Sequence, residues 1–398
     1  MLLFAALLLL ADLLNFGGVQ AHAYIATAMV WLCAAACLIV WRILKRGRLD
    51  PVLAIGFLGG SVLAVMSDAK LAIWLIAACW AWQAAREDSR KVITYLKILV
   101  WVGVFEACLG FVQLLEAPGW IFGYKNAVSA VTGTFINRNH FAGVLEMLIP
   151  ASIGLGFVAF MRRGSIAGMY LYILSAVFSG MALALSLSRA GLFSFLLSVV
   201  FLSILLLLRR SHRTVVLGLG FALLGLFFAG ILWIGIDGIV NRYARILGPD
   251  AAVEYGRLMV FRGTTEMIRR FPQGVGIGKF ESAFRPFQTA SLGILFDHAH
   301  NDYLETTAEW GVAVAIPFWI VIIGLFVSHV RLLMTAKVVE TQGILLACTG
   351  GCFAILVHSL ADFNLQIPSN AIVFFTFVGI GTGLLFPKAI RRMAGGRR

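Results

Sequence analysis

Long apolar stretches separated by short polar connections run along almost the whole of this chain. About twelve of them hold roughly 16 to 25 residues each, which is close to the length an α-helix needs to cross the hydrocarbon core of a bilayer. They lie near residues 1–16, 22–44, 51–66, 70–85, 95–116, 141–160, 166–187, 190–208, 214–236, 304–328, 341–361 and 371–386. Helices satisfy their own backbone hydrogen bonds in lipid, and a sheet with open edges does not. The pattern therefore predicts an all-α fold, a polytopic membrane helix bundle of about twelve transmembrane helices in a single domain, residues 1–398.

Composition agrees with this class. Hydrophobic residues make up 61% of the chain and charged residues only 13%. A soluble domain carries about a quarter charged residues. A lipid bilayer is therefore the expected environment of the chain.

The basic residues set the expected orientation, because they gather in alternate connections of the predicted bundle. The basic connections contain Arg42, Lys45, Arg46, Arg48, Arg86, Arg90, Lys91, Arg162, Arg163, Arg209, Arg210, Arg213, Arg331 and Lys337, and the tail adds Lys388, Arg391, Arg392, Arg397 and Arg398. Connections rich in Lys and Arg stay in the cytoplasm, so both termini are predicted to be cytoplasmic. The net charge of +13 is then mainly a signal of topology, and no nucleic-acid partner is expected.

Two long segments, residues 116–140 and 237–303, fall on the opposite, outer side. A loop as long as the second one between membrane helices is usually functional. Arg262 and Glu266 stand at helical spacing within it, which predicts a long, partly helical periplasmic loop. An amphipathic helix lying on the membrane surface is an equally good account of these charges.

Polar residues crowd the end of the first outer segment. Four of them follow one another directly, namely Asn137, Arg138, Asn139 and His140. Glu146 stands on the helix predicted to begin there. Because amide and imidazole groups both donate and accept hydrogen bonds, these residues are candidates for binding a polar substrate. Asn139 could instead cap the helix.

Two arginines stand apart from the basic connections. Arg189 lies where two apolar runs meet on the outer side with almost no loop, and Arg257 follows a glycine in the large outer segment. An arginine at such a junction is costly unless something pairs with it, and its planar guanidinium suits phosphate. An anionic ligand is therefore predicted at Arg189. Snorkelling of the side chain to the interface is the alternative.

Two histidines, His298 and His300, precede Asn301 just before the span predicted at 304–328. Imidazole changes its charge near neutral pH, so the pattern indicates acid or base chemistry. A metal site is the weaker interpretation, because the HExxH arrangement and a third ligand motif are absent. No metal and no other cofactor are expected.

His358 and Asp362 stand four residues apart at the outer end of the span predicted at 341–361. That spacing predicts that both side chains share one helix face. They are expected either to orient a histidine of the HAHN segment, residues 298–301, or to pair with each other.

Other functional classes have less support. The glycine-rich residues 274–278 lack the strand, turn and helix of a nucleotide site. A polysaccharide transporter or flippase should carry ionisable residues near the bilayer midplane and two related halves. Glu106 is the main buried candidate, and the chain shows no clear internal repeat.

Several segments together resemble the O-antigen ligase and O-antigen polymerase superfamily. They are TGTFINRNHFAG, the SRAG turn, GVGIGKFESAF, HAHNDYLETTAEWG and HSLADFNLQIPSNA, in this order between residues 95 and 386. Members of the family are bacterial inner-membrane glycosyltransferases that need no metal. They take a glycan from an undecaprenyl-diphosphate carrier in the periplasm. The resemblance implies that Arg189, Arg257 and His300 are catalytic, and that His300 rather than His298 is the family histidine.

The resemblance implies ligation of the carrier-linked glycan to lipid A core, with polymerisation, in which one carrier-linked glycan is passed to another, as the alternative. Some members of the family transfer the glycan to a protein hydroxyl. The residues agree with each of these activities, because two arginines can neutralise a diphosphate leaving group and a histidine can take the proton of an acceptor hydroxyl. Transfer by a single displacement would invert the anomeric centre.

Overall fold

The computed structural model describes residues 13, 69–116, 120–122, 124–125, 131–209, 251–288 and 296–386. Its α-helices are α1 (Ala69–Glu87), α2 (Ser89–Leu115), α3 (Arg138–Arg163), α4 (Ile166–Leu185), α5 (Arg189–Leu208), α6 (Ala251–Arg270), α7 (Phe280–Phe284), α8 (Asp302–Trp310), α9 (Val312–Thr335), α10 (Val339–His358) and α11 (Pro368–Leu384). A short antiparallel hairpin pairs β1 (Trp120–Ile121) with β2 (Tyr124–Lys125). Two 3-10 turns span Arg285–Phe287 and Asn364–Gln366.

Six of the described helices are long and apolar enough to cross a membrane, namely α2, α3, α4, α5, α9 and α10. A seventh, α11, is apolar but shorter. The predicted class, a helical multi-pass membrane protein, is therefore supported. The spans predicted at 22–44, 51–66 and 214–236, and nearly all of 1–16, lie outside the described residues, so the number of about twelve stays a prediction.

A spanning helix is present where residues 304–328 were predicted to cross, but its predicted start is wrong. The chain forms two helices there, α8 and α9, which are separated at Gly311 with φ of 81°. A side chain at Gly311 would meet the backbone of Gln273 at 2.4 Å, and Val312 donates a hydrogen bond to the Pro272 carbonyl at 2.9 Å. A backbone break of this kind leaves hydropathy unchanged, and for that reason the apolar pattern does not reveal it.

The core of the bundle is α10, which packs against α3, α5, α9 and α11. Most residues of α10 are buried, and they lie on all faces of the helix. For this reason the helix has no polar face. The helix α9 is the opposite case, because large apolar residues such as Ile320 and Val321 stay exposed. Such a surface suits contact with lipid tails.

The described basic connections meet at one end of the bundle. Arg209 donates hydrogen bonds to the carbonyls of Leu333 and Ala336 at the end of α9. Arg162 pairs with Glu340 at 2.8 Å. The guanidinium of Arg86 lies 4.3 Å from the centre of the Trp82 ring and 5.7 Å from that of the Phe386 ring. The described basic connections therefore lie on one side of the bundle, as predicted. The assignment of that side to the cytoplasm stays a prediction.

Candidate active site

At the other end of the bundle, a buried carboxylate organises a cluster of polar side chains. Asp362 is fully buried, and one of its oxygens lies 3.5 Å from His300 Nδ1 and 4.0 Å from His140 Nε2. The other oxygen accepts a hydrogen bond from the Asn139 side chain and lies 4.0 Å from Arg257 Nη2. Residues far apart in the sequence therefore converge on Asp362.

Asp362 does not stand on the helix where the sequence placed it. The helix α10 ends at His358, and Asp362 follows in a turn where its N–H donates to the His358 carbonyl at 3.1 Å. The two side chains therefore do not form the predicted pair. The other prediction, that this segment approaches the HAHN histidines, agrees with the contact between Asp362 and His300.

Burial acts to raise the pKa of Asp362, but the adjacent imidazole of His300 and the charges of His140 and His358 outweigh it. The pKa of this carboxyl is therefore held well below its usual range, and Asp362 is an anion at neutral pH. An ionised carboxylate can hold an imidazole in one orientation and stabilise its protonated form.

The two histidines of the HAHN segment have different surroundings. His298 Nδ1 lies 2.6 Å from Glu305, and its ring stacks on Phe363 at 3.9 Å. His300 meets Phe363 edge-on at 5.1 Å and adopts a left-handed backbone with φ of 50°. This conformation is uncommon for a residue other than glycine and is concentrated at functional sites. Glu305 thus orients His298, while Asp362 is the carboxylate beside His300.

The start of α8 is fastened to the turn that carries Asp362. Asn301 caps α8 and donates to the Leu360 carbonyl at 2.9 Å. The fully buried Asp302 accepts hydrogen bonds from the Ser359 hydroxyl at 2.7 Å and the Leu365 N–H at 3.1 Å. Burial raises the pKa of Asp302 to about 8, although these two bonds act in the opposite direction. These contacts fix the HAHN segment against residues 359–365.

The polar run before α3 is also fixed by its neighbours. Asn137, and not Asn139, caps α3, because its side chain accepts from the Asn139 N–H at 2.9 Å. The Asn139 amide is thereby free of the capping role and reaches Asp362. His140 is buried beside Phe363, and Arg138 is the first residue of the helix.

The segment before this cap lies against α2 inside the bundle. Glu106 accepts hydrogen bonds from the Thr134 N–H at 3.0 Å and its hydroxyl at 2.9 Å. Gln113 accepts from the N–H groups of Thr132 and Gly133, both at 2.9 Å. Glu106 stands nine residues before the end of α2, and at about 1.5 Å per residue the segment descends about 13 Å along that helix. Glu106 therefore anchors a loop of the site, and its bonding gives no support to a transporter.

Two of the predicted site residues lie deeper than a substrate could reach directly. Glu146 Oε1 and His358 Nδ1 are 3.0 Å apart, and both side chains are completely buried. Arg189 is the first residue of α5, two positions before Gly191. A side chain at Gly191 would meet His358 at 3.3 Å, so the start of α5 packs next to this pair.

Sequence reasoning missed several residues that hold the site in place. They are Gln113, Ser359 and Phe363. The i, i+7 spacing of Glu106 and Gln113 was a usable signal for one polar stripe on α2. No such signal marked Phe363, which looks like any other apolar residue of the segment.

The fold and the site define a helical multi-pass membrane protein with histidine, aspartate and arginine side chains gathered at one end of the bundle. Residues 174–319 match the family model described as O-Antigen ligase. This confirms the predicted resemblance to the O-antigen ligase and polymerase superfamily and supports a glycosyltransferase of ligase or polymerase type. The matched region includes Arg189, Arg257 and both HAHN histidines. No curated protein matches the chain.

Proposed function

We propose that this chain is a metal-independent, inverting glycosyltransferase of the periplasmic face that moves a glycan from undecaprenyl diphosphate to an acceptor hydroxyl. The acceptor we favour is lipid A core, as in O-antigen ligation. The observation that carries the proposal is the convergence of His300 and Arg257 on the buried anion of Asp362. The family match over residues 174–319 supports lipid-linked glycans as the class of substrate.

In this mechanism His300 is the general base. Its Nδ1 faces Asp362, which leaves Nε2 to take the proton of the acceptor hydroxyl. The acceptor oxygen forms a bond to the anomeric carbon while the bond from that carbon to the diphosphate oxygen breaks. The diphosphate carrier departs with the electron pair, and a single displacement of this kind inverts the anomeric centre.

The arginines supply the positive charge in this mechanism. Arg257 is partly exposed near Asp362, and Arg189 begins the neighbouring helix α5. Guanidinium groups bind phosphate oxygens in pairs and stabilise the charge that develops as the diphosphate leaves. Asn137, Arg138 and Asn139 are partly exposed, and we assign them to substrate binding.

The first test compares His300→Ala with His298→Ala in transfer from a purified undecaprenyl-diphosphate glycan, with EDTA present. General-base assistance is worth roughly 10²- to 10⁴-fold, so His300→Ala should lose about that factor in turnover while donor affinity changes little. His298→Ala should lose less, because Glu305 rather than Asp362 contacts it. Inactivation of the wild type by EDTA alone would contradict metal independence. A dead His298→Ala beside an active His300→Ala would reverse the roles.

The acceptor is tested in the same assay by offering lipid A core and a second carrier-linked glycan separately. Transfer to lipid A core alone is the expected result. Growth of carrier-linked glycan without transfer to lipid A core would identify a polymerase of O-antigen or exopolysaccharide units instead. Movement of intact carrier-linked glycan across the bilayer without a new glycosidic bond would identify a flippase.

A further inference from the structure

A completely buried pair of ionisable side chains lies directly beneath the candidate active site. Glu146 belongs to α3 and His358 is the last residue of α10, and their contact of 3.0 Å has no access to solvent. Burying such groups is costly unless each partner satisfies the other. The remaining polar atoms, His358 Nε2 and Glu146 Oε2, have no hydrogen-bond partner among the described residues. A single hydrogen bond therefore joins the two side chains.

This pair stands where three helices of the site meet. The carbonyl of His358 accepts the N–H groups of Ala361 at 2.8 Å and Asp362 at 3.1 Å, so it anchors the turn that carries the central carboxylate. The helix α3 that holds Glu146 also presents Asn139 to Asp362. On the third side, α5 approaches closely through Gly191. A Cβ atom there would lie 2.6 Å from Ala142 and 3.3 Å from His358.

We propose that Glu146 and His358 are positioning residues. They hold the start of α5, and with it Arg189, at a fixed distance and orientation relative to Asp362 and His300. The proposal rests on the proposed function, because it assigns the pair to the alignment of the diphosphate-binding arginine with the general base. Neither side chain is exposed, so the pair acts through geometry and does not touch substrate. A misplacement of about 1 Å far from the reacting atoms can cost about 10²-fold in rate.

Matched substitutions separate this role from a general effect on stability. Glu146→Gln and His358→Asn each keep a group able to make the hydrogen bond, and we expect both to retain turnover within roughly threefold of the wild type. Glu146→Leu and His358→Leu remove the bond and should lower kcat roughly 10- to 100-fold with little change in KM for the donor. Because the two side chains act as one unit, the double leucine variant should lose no more than either single variant.

Ser198→Ala is the control, since Ser198 makes a buried hydrogen bond of 2.8 Å to the Gly350 carbonyl. This bond joins α5 to α10 two turns deeper than Gly191, and its loss should lower stability without changing kcat. The proposal is overturned if the leucine variants match this control, with lower stability and unchanged kcat. It is also overturned if Glu146→Gln is as inactive as Glu146→Leu, because the charge and not the position would then matter.

A second measurement does not depend on activity. Spin labels at Phe193 on α5 and Leu360 on the turn, both exposed positions, report the distance between these elements by electron paramagnetic resonance. The distribution should broaden or shift in the leucine variants and stay as in the wild type in Glu146→Gln and Ser198→Ala. An unchanged distribution in the leucine variants would contradict positioning. If the wild type transfers no glycan, the proposed function is refuted. The spin-label distances would still test whether Glu146 and His358 position α5.

Discussion

At the scale of single residues, the site depends on two buried carboxyl groups, of which one is ionised and the other is neutral. Asp362 faces His300, His140 and Arg257 and stays ionised, whereas the high pKa of Asp302 makes it neutral at pH 7. Both are completely buried and lie near the same turn. The charge of Asp362 therefore comes from its neighbours and not from its depth.

Replacing Asp362 by Asn should therefore lower turnover far more than it lowers stability. The amide keeps the size of the side chain but removes the negative charge that orients and stabilises the imidazole of His300. We expect a loss of roughly 10²- to 10⁴-fold in kcat. Asp302→Asn is the matched control and should stay within severalfold of the wild type. Equal losses in both variants would show that the charge of Asp362 has no special part.

Asp302 should make the stability of the protein depend on pH. Its pKa is about 8 in the fold, while a free aspartate ionises near 4, so between these values the unfolded chain loses a proton that the fold keeps. The contribution of Asp302 to stability is then largest below about pH 4, and it falls as pH rises to about 8 by roughly 1.4 kcal/mol per pH unit. Asp302→Asn removes this contribution. Thermal unfolding in detergent at pH 5 and pH 8 should show a smaller decrease for the variant than for the wild type, and parallel decreases would contradict the assignment.

At the scale of elements, segments that look like simple connections are hydrogen-bonded to the helices beside them. The segment from Thr132 to Thr134 is bonded to α2 by Glu106 and Gln113, and residues 301–303 are bonded to the end of α10 and the turn after it. Val275 and Gly276 donate to the carbonyls of Ala308 and Glu309, both at 3.0 Å, so the glycine-rich segment is packed against α8. Short segments of this kind carry Asn137, His298, His300 and Asp362, and neighbouring helices anchor them.

Removal of the Glu106 anchor should therefore affect both folding and activity. Glu106→Leu leaves the Thr134 N–H without an acceptor inside the bundle, which costs about 1–3 kcal/mol. Glu106→Gln still offers one carbonyl oxygen to that N–H and should cost less. Thermal unfolding gives the stability difference, and turnover should follow it because the anchored segment leads directly into Asn137. Full stability and activity in Glu106→Leu would exclude the anchoring role.

At the scale of the whole molecule, the fold separates a basic end from an end that carries the site. The prediction that the basic end is cytoplasmic is tested by cysteine labelling in a chain whose six native cysteines have been replaced. A cysteine at the exposed Lys337 should resist a membrane-impermeant thiol reagent applied from the periplasm, and one at the exposed Glu281 should react. The reverse result would overturn the orientation and the periplasmic site.

The sequence by itself determined the class of the protein and the identity of most candidate residues. In lipid, a run of about 20 apolar residues satisfies its backbone hydrogen bonds by forming a helix. Basic residues recur in alternate connections because Lys and Arg are disfavoured in the short loops of the outer side. The motifs around Arg189 and His300 carried the family resemblance. These features are local, and each can be recognised within one stretch of chain.

The tertiary structure decided which residues act on one another. Asp362 is 62 positions from His300, 105 from Arg257 and 223 from Asn139, so no spacing rule could pair them. The break at Gly311 was also invisible, because it depends on the approach of Gln273 and not on the hydropathy of α8 or α9. Glu146 and His358 are buried against each other because the helices α3, α5 and α10 pack around them. Contacts between distant segments arise from packing, and packing is specified by the whole chain at once.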